Sequence, residues 1–332
     1  MNNILVTGGA GFIGSNFVKT LLQKEPYSIV NLDLLTYSGR LENLHDIKSK
    51  KHSFVKGDIR NKRLIDKIIR QHKIDTIFNF AAETHVDRSL VHAESFISTD
   101  VNGTYVLLES ARINKIENFI QISTDEVYGS ASYNQIYTEQ DALHPSNPYS
   151  ASKAAADLMA LSFYKSYDMN IKITRSSNNY GPYQYPEKFI PKMMTRAIRG
   201  EHVPVYGKGL QRRNWIYVED NCRAILTVAE RGMKGEVYNI SGDDECSNID
   251  LAKTVLSKLG LSEALIKFVE DRPGHDARYS IRSDKIRLLG WKPRHTLALS
   301  LNNLIEWYKN NEWWWKPLLS DKFVKSDTPW KI

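Results

Sequence analysis

A chain of 332 residues that is 42% hydrophobic and 25% charged has the composition of an ordinary globular protein, which excludes disordered and fibrous classes. The formal net charge of +7 comes from scattered lysines and arginines, the densest group being Lys48, Lys50 and Lys51, so it suits a phosphorylated small substrate at least as well as nucleic acid. Cys222 and Cys246 make neither a disulfide framework nor a metal cage, and no segment is apolar for the roughly twenty residues that a membrane helix needs.

In chain order, the first element is an apolar run at residues 4–6. It lies so near the start that no targeting segment is expected ahead of it, and a cytoplasmic location with no membrane attachment follows as an expectation. Further apolar runs at 29–32, 53–55, 76–80, 119–122 and 171–174 read as buried strands, separated by helical patterns at 12–23, 61–71, 96–112 and 150–167. Such alternation builds a doubly wound parallel Rossmann sheet with helices on both faces.

Beyond Gly181 the rhythm changes. Pro182, Pro186 and Pro191 interrupt the chain, and helices at 190–199, 218–230, 248–259 and 299–310 are joined by irregular polar loops, with short strands at 215–218 and 237–240. The expected fold class is α/β, with a Rossmann domain carrying the catalytic residues over 1–181. A smaller mixed α/β substrate domain is expected over 182–332, with a soft boundary and elements free to interleave. Trp313, Trp314 and Trp315 read as a packing anchor for the C-terminal segment.

The run Thr7-Gly8-Gly9-Ala10-Gly11-Phe12-Ile13-Gly14 follows the first strand and opens the first helix, the context in which a glycine pattern signals a dinucleotide site. Gly8 permits a tight turn, Gly11 lets a pyrophosphate approach the backbone, and Gly14 allows close helix packing, while free helix amides face the anion. Asp33, ending the second strand, is placed to meet ribose hydroxyls and to repel a 2′-phosphate, which favours NAD over NADP. Asp58 and Ile59 lie where an adenine ring would rest, although Asp58 reads equally well as a cap for the helix near Asn61. Ala81 and Ala82 are small enough for the dinucleotide to pass close by.

Tyr149 and Lys153 stand one helical turn apart and share a face. The ammonium is expected to lower the phenol's pKa from about 10 towards neutrality, making Tyr149 the base and Lys153 its tuner. Thr124 directly follows the fifth strand, where its hydroxyl can meet the same substrate oxygen as Tyr149. Asp125 and Glu126 are adjacent carboxylates at the C-terminal edge of a parallel sheet, where ligands bind and where mutual repulsion costs stability unless function uses it.

These segments, together with Ala81-Ala82-Glu83-Thr84-His85-Val86-Asp87-Arg88-Ser89, Ser123-Thr124-Asp125-Glu126-Val127-Tyr128-Gly129, Asn178-Asn179-Tyr180-Gly181-Pro182 and Arg272-Pro273-Gly274-His275-Asp276, resemble the dTDP-glucose 4,6-dehydratases, extended short-chain dehydrogenase/reductases, over nearly the whole chain. The glycine, tyrosine and lysine motifs are common to that superfamily, including the 4-epimerases, whereas Thr124-Asp125-Glu126 marks the dehydratase branch. The resemblance implies oxidation of glucose C4 with Tyr149 taking the hydroxyl proton, then removal of the C5 proton by Glu126 while protonated Asp125 donates to the departing 6-hydroxyl. Hydride then returns to C6, and NAD stays bound throughout.

The implied cofactor contacts are Gly8, Gly11, Phe12, Ile13, Gly14, Asp33, Asp58, Ile59, Ala81, Ala82, Thr99, Tyr149 and Lys153, with Thr84, Asn178, Lys188, Arg213, Arg272 and Arg278 towards the sugar nucleotide. A homodimer is also implied, through the helices near 98–112 and 150–167, where Val101, Tyr105, Leu108, Leu158 and Leu161 are apolar. Two departures stand out: Asn214 where the family usually has Asp, and Asp244 where it usually has Asn. They leave dTDP against UDP open, so a UDP-glucose 4,6-dehydratase and a sugar-nucleotide 4-epimerase are the alternatives. A nucleic-acid-binding protein is disfavoured, because basic and aromatic residues do not interleave.

Overall fold

Six parallel strands from the first half of the chain lie side by side in the computed structural model, which describes residues 1–24 and 27–332. They are β1 (Asn3–Thr7), β2 (Ser28–Asp33), β3 (His52–Lys56), β4 (Thr76–Asn79), β5 (Asn118–Thr124) and β6 (Ile171–Ser176). Ile4, Leu5 and Val6 of β1 are all fully buried, because the sheet is covered on both faces at its centre and a strand there is apolar on both sides. Ile4 and Val6 face one cluster with Phe17, Val18 and Leu21, while Leu5 faces the other with Ile65, Leu107 and Phe163. The period of two along the strand makes this division.

Helix α1 (Phe12–Gln23) supplies the first cluster; α2 (Lys62–His72) supplies the second. Two short helices follow, α3 (Val86–Val91) and α4 (Ala93–Phe96). The single helix expected over 96–112 is divided, for after α4 the chain runs through a π-helical stretch at Ile97–Gly103 before α5 (Thr104–Ile113). Helix α6 (Pro148–Tyr167) is fixed at its start by a capping box: the Asn147 side chain accepts from Ser150 N at 2.9 Å, Ser150 Oγ accepts from Asn147 N at 3.2 Å, and Pro148 takes the first helical position.

Six more strands follow: β7 (Asn178–Tyr180), β8 (Val203–Tyr206), β9 (Arg212–Tyr217), β10 (Val237–Ile240), β11 (Asp244–Ser247) and β12 (Ile266–Val269). The helices between them are α7 (Phe189–Ile198), α8 (Val218–Arg231) and α9 (Asn248–Lys258). β10 pairs in parallel with β6, so the main sheet has seven strands in the order β10-β6-β5-β4-β1-β2-β3. α8 joins the same layer, its Cys222, Ile225 and Val228 packing with Phe17 and Val18 of α1. The chain thus returns to the Rossmann sheet well beyond residue 182, and the two halves interleave.

The smaller unit holds β7, β9 and β11 in one sheet and β8 with β12 in a parallel pair. Its core gathers Met193, Met194, Leu251 and Leu301 around Trp314 and Trp315. Only those two tryptophans anchor the C-terminal segment, since Trp313 is 48% exposed. Trp314 Nε1 donates to Asn43 Oδ1 at 2.7 Å and Arg40 donates to the Trp314 carbonyl at 2.9 Å, tying the end of the chain to the loop after β2. Among the described residues no helix is long and apolar enough to cross a membrane.

Candidate active site

The glycine-rich turn is shaped by its neighbours. Gly8 has φ +67°, and a Cβ there would come within 2.6 Å of Ala81 N, so only glycine lets β1 turn against the end of β4. Gly11 differs: a Cβ would meet only Gly8 O, at 3.2 Å, so its face is open. Helix α1 then starts with no side-chain cap and no acidic residue in its first turn. Its amides are left to an anion, as a dinucleotide pyrophosphate requires, and the residues present fit NAD.

Asp33 Oδ2 accepts from Ala10 N at 2.9 Å and Oδ1 from Leu35 N at 2.8 Å, so the carboxylate also braces the turn. Burial pushes its pKa up, against those two bonds. The helix after β3 is capped by Asn61, whose side chain accepts from Leu64 N. Asp58 instead forms a forked pair with Arg60, which holds its carboxyl below the usual range.

A cavity of about 380 Å³ opens at the C-terminal ends of the central strands. Its wall includes Gly8, Gly11, Phe12, Ile13, Gly14, Asp33, Asp58, Ile59, Ala81, Ala82 and Thr99, and also Thr124, Asp125, Glu126, Tyr149 and Lys153. Thr84, Asn178 and Lys188 line it too, whereas Arg213, Arg272 and Arg278 do not. Thr36, Ser38, Arg60, Tyr183 and Gln184 also line it and were missed. Thr36 and Ser38 stand just after Asp33, a position that offered the only signal.

Thr124 ends β5 and caps the 3₁₀ turn Asp125–Tyr128 that carries both acids, its Oγ1 accepting from Glu126 N at 3.3 Å. Among the described residues Asp125 Oδ2 is buried without a partner, and Oδ1 meets Thr124 Oγ1 at 3.3 Å. Burial first, then the charge of Glu126, pushes the Asp125 pKa up to about 8 against the pull of Arg213. Asp125 is therefore protonated at neutral pH, a donor beside the half-buried Glu126.

Tyr149 behaves otherwise than expected. Burial, then the charges of Glu126 and Asp100, push its phenol well above 10, opposed by a hydrogen bond from Thr124. Lys153 gives its ammonium to the Ile122 carbonyl at 2.7 Å, so the lowering expected from it is not what this arrangement produces. Asp100, on the π-helical stretch, accepts from Glu83 N at 2.8 Å and from Ser152 Oγ at 2.6 Å; burial raises it to about 7. It ties the loop after β4 to the catalytic helix.

Behind the acids lies a buried polar chain. Ser123 Oγ and Arg175 Nε both donate to Asp157 Oδ2, at 3.0 and 2.9 Å, and Arg175 Nη1 donates to the Tyr128 hydroxyl at 2.8 Å. That hydroxyl donates to Asn239 on β10 at 2.8 Å. The returning strand thereby fixes the turn that holds Asp125 and Glu126.

The cations sort into two kinds. Lys188 bonds the Thr84 carbonyl, and burial lowers its pKa. Arg213 lies over the Tyr279 ring at 4.2 Å, and Arg272 reaches Asp87 at 3.3 Å while its Nε has no partner among the described residues. Arg278 must be corrected as a candidate ligand: Glu245, the Ser132 and Gln135 carbonyls and Ser280 Oγ take all five of its N–H donors, leaving none for a diphosphate. Asp244 is likewise occupied, accepting from Leu297 N at 2.6 Å at the start of helix Leu297–Asn310.

The family described as "GDP-mannose 4,6 dehydratase" matches residues 5–303. The low-salt glycan biosynthesis protein Agl12 of Haloferax volcanii is 49% identical over 93% of this chain and 99% of its own. A dTDP-glucose 4,6-dehydratase of Streptomyces niveus is 47% identical over 96% of each. Among solved structures, dTDP-glucose 4,6-dehydratase from Bacillus anthracis in complex with NAD superposes with TM-score 0.90 at 46% identity, covering 96% of this chain and 100% of that one. UDP-glucose 4-epimerase from Thermotoga maritima superposes with TM-score 0.88 at 29% identity, over 93% and 99%. Two chemistries share this fold, so the side chains must separate them.

Proposed function

The chain belongs to the GDP-mannose 4,6-dehydratase family, and from that premise we propose that it converts dTDP-glucose to dTDP-4-keto-6-deoxy-glucose with loss of water. The observation that carries the reading is the pair Asp125 and Glu126, one protonated and one half-buried, in the wall of the cavity that Tyr149 also lines. A 4-epimerase needs Thr124 and Tyr149 but has no use for a second acid and base.

When bound, NAD supplies a reversible hydride acceptor, so the hexose can be oxidised at C4 and reduced at C6 within one site. Tyr149 is placed to take the proton of the 4-hydroxyl, with the hydrogen bond from Thr124 working against the burial and the acidic neighbours that hold its phenol protonated. The 4-ketone acidifies the C5 proton, which Glu126 removes. Asp125 gives its proton to the departing 6-hydroxyl, and water leaves. Thr84, Asn178 and Lys188 face the sugar and its diphosphate, with Arg213 and Arg272 as charges behind them.

The same proposal places the enzyme in the cytoplasm, in keeping with two unpaired cysteines, and pairs it as a homodimer. The exposed Tyr105 and Leu158 on α5 and α6 support that pairing, whereas Leu108 is spent on the chain's own core. Light scattering at the mass of one chain would reject the dimer. Incubation with dTDP-glucose, and separately UDP-glucose, tests the chemistry: a 4-keto-6-deoxy product absorbs in alkali and an epimerised hexose does not.

A further inference from the structure

Tyr279 stands 153 residues from Glu126 along the chain, yet its hydroxyl sits 3.2 Å from Glu126 Oε2 and 2.5 Å from Asp276 Oδ2. Its ring is buried under the Arg213 guanidinium, and its backbone N donates to the Arg212 carbonyl at 3.2 Å, so the side chain is held in place. Asp276 Oδ2 also accepts from Ser146 Oγ, and Ser146 directly precedes the Asn147 cap of α6. Glu126 on one catalytic element is thus linked through two side chains to the start of the helix that carries Tyr149.

A phenol has one proton, and here it faces two carboxyl groups. We propose that Tyr279 is a positioning residue for Glu126, its hydroxyl turning between Glu126 and Asp276 as the base gains and loses its proton. This rests on the dehydration chemistry proposed above. Ionised Glu126 has no hydrogen to give, so the Tyr279 O–H points to it and favours the charged, basic form. Once Glu126 holds the C5 proton, it donates to the Tyr279 oxygen, and the phenol proton turns to Asp276 beside the Ser146 hydroxyl. One proton moves, from C5 to Glu126, and the phenol keeps its own. Burial, then the charge of Glu126, hold the Tyr279 pKa well above 10, which keeps it a donor.

The charged and titratable groups bearing on Glu126 are Asp125, Tyr149, Lys188, Arg213, Arg272 and Tyr279. Of these Tyr279 can be changed with least loss of charge or packing, since Phe keeps the ring under Arg213. In Tyr279→Phe the carboxylate of Glu126 loses a hydrogen-bond donor, so the step that uses it slows while the oxidation at C4 is spared.

The test runs the intact enzyme with dTDP-glucose in deuterated buffer, following reduced-nicotinamide absorbance for the first step and deuterium entry at C5 for the second. For Tyr279→Phe the first step should change by less than about twofold while C5 exchange slows roughly tenfold to a hundredfold. Ser146→Ala, which loosens only the far end of the link, should slow C5 exchange in the same sense by a smaller factor. Unchanged C5 exchange in Tyr279→Phe would overturn the inference, as would equal slowing of both steps, which a merely structural role produces. Should the unmodified enzyme form no 4-keto-6-deoxy product, the dehydratase reading falls and takes this with it; product formation with an indifferent Tyr279→Phe removes the inference alone.

Discussion

Neighbouring carboxyls at 125 and 126 differ in what surrounds them, and that difference assigns their work. Asp125 is sealed with one oxygen unpartnered among the described residues, and burial pushes its pKa up to about 8 from the usual 3.8. The folded state therefore holds a proton that the unfolded chain releases: this contribution to stability is complete below about pH 4 and is lost as pH rises through about 8. Asn at 125 is neutral at every pH. Asp125→Asn should thus melt at a less pH-dependent temperature between about pH 6 and pH 9, and be the more stable protein at the upper end, while losing dehydration by a factor of about 10² to 10⁴. Thermal melts at the two pH values, beside the alkaline product assay, check both halves; a variant that still dehydrates removes Asp125 as the acid. The unmodified enzyme should lose dehydration as pH rises through about 8, when the acid ionises. These residues were legible because their signals are local to the chain: adjacency for the acids, one helical turn for Tyr149 and Lys153, a glycine spacing for the turn. Tyr279 was not, since it reaches Glu126 from 153 residues away and only packing brings it there.

At the level of elements, the catalytic helix is placed by its first turn. The Asn147 cap satisfies an amide that helix geometry leaves unpaired, and Tyr149 follows two residues later. Asn147→Ala should cost about 1 kcal/mol of stability and lower kcat more than it raises KM, because the phenol shifts while the nucleotide contacts stay; Asn147→Asp, which keeps an acceptor, should restore both. A denaturant titration with steady-state kinetics reads the two effects, and an Ala variant with unaltered kcat would show that the cap does not position Tyr149. Strand and helix existence in the Rossmann half followed from apolar periodicity, and α1 was predicted over the residues it occupies. Periodicity is blind to the register within a helix, so it gave 96–112 as one helix. The π-helical stretch owes its place to long-range bonds, Asp100 accepting from Glu83 and Ser152. Short strands such as β8 and β11 carry four residues each, too few for a pattern to distinguish them from loop.

For the whole molecule, the informative feature is that the chain leaves the main sheet and comes back. A local pattern can show that Val237–Ile240 is a strand, but not which sheet it joins, because its Val, Tyr and Ile would be equally at home in either core. Its pairing with β6 and the Tyr128–Asn239 bond make the second half part of the catalytic floor. Likewise α8 covers Phe17, Val18 and Leu21 of α1, and Trp314 bonds Asn43 beside the cofactor turn. Cutting at the sequence boundary should therefore destroy both halves. A fragment of residues 1–181 would expose the apolar face of α1 and leave β6 as an unpaired sheet edge, two features that favour aggregation over folding. We expect it to show no cooperative thermal transition by circular dichroism and no NAD binding by calorimetry, while the full chain melts in a single transition. A fragment that melts cooperatively and binds NAD would mean that the returning strand and α8 add little to the Rossmann half, and that the acids owe their placement to β5 and α6 alone.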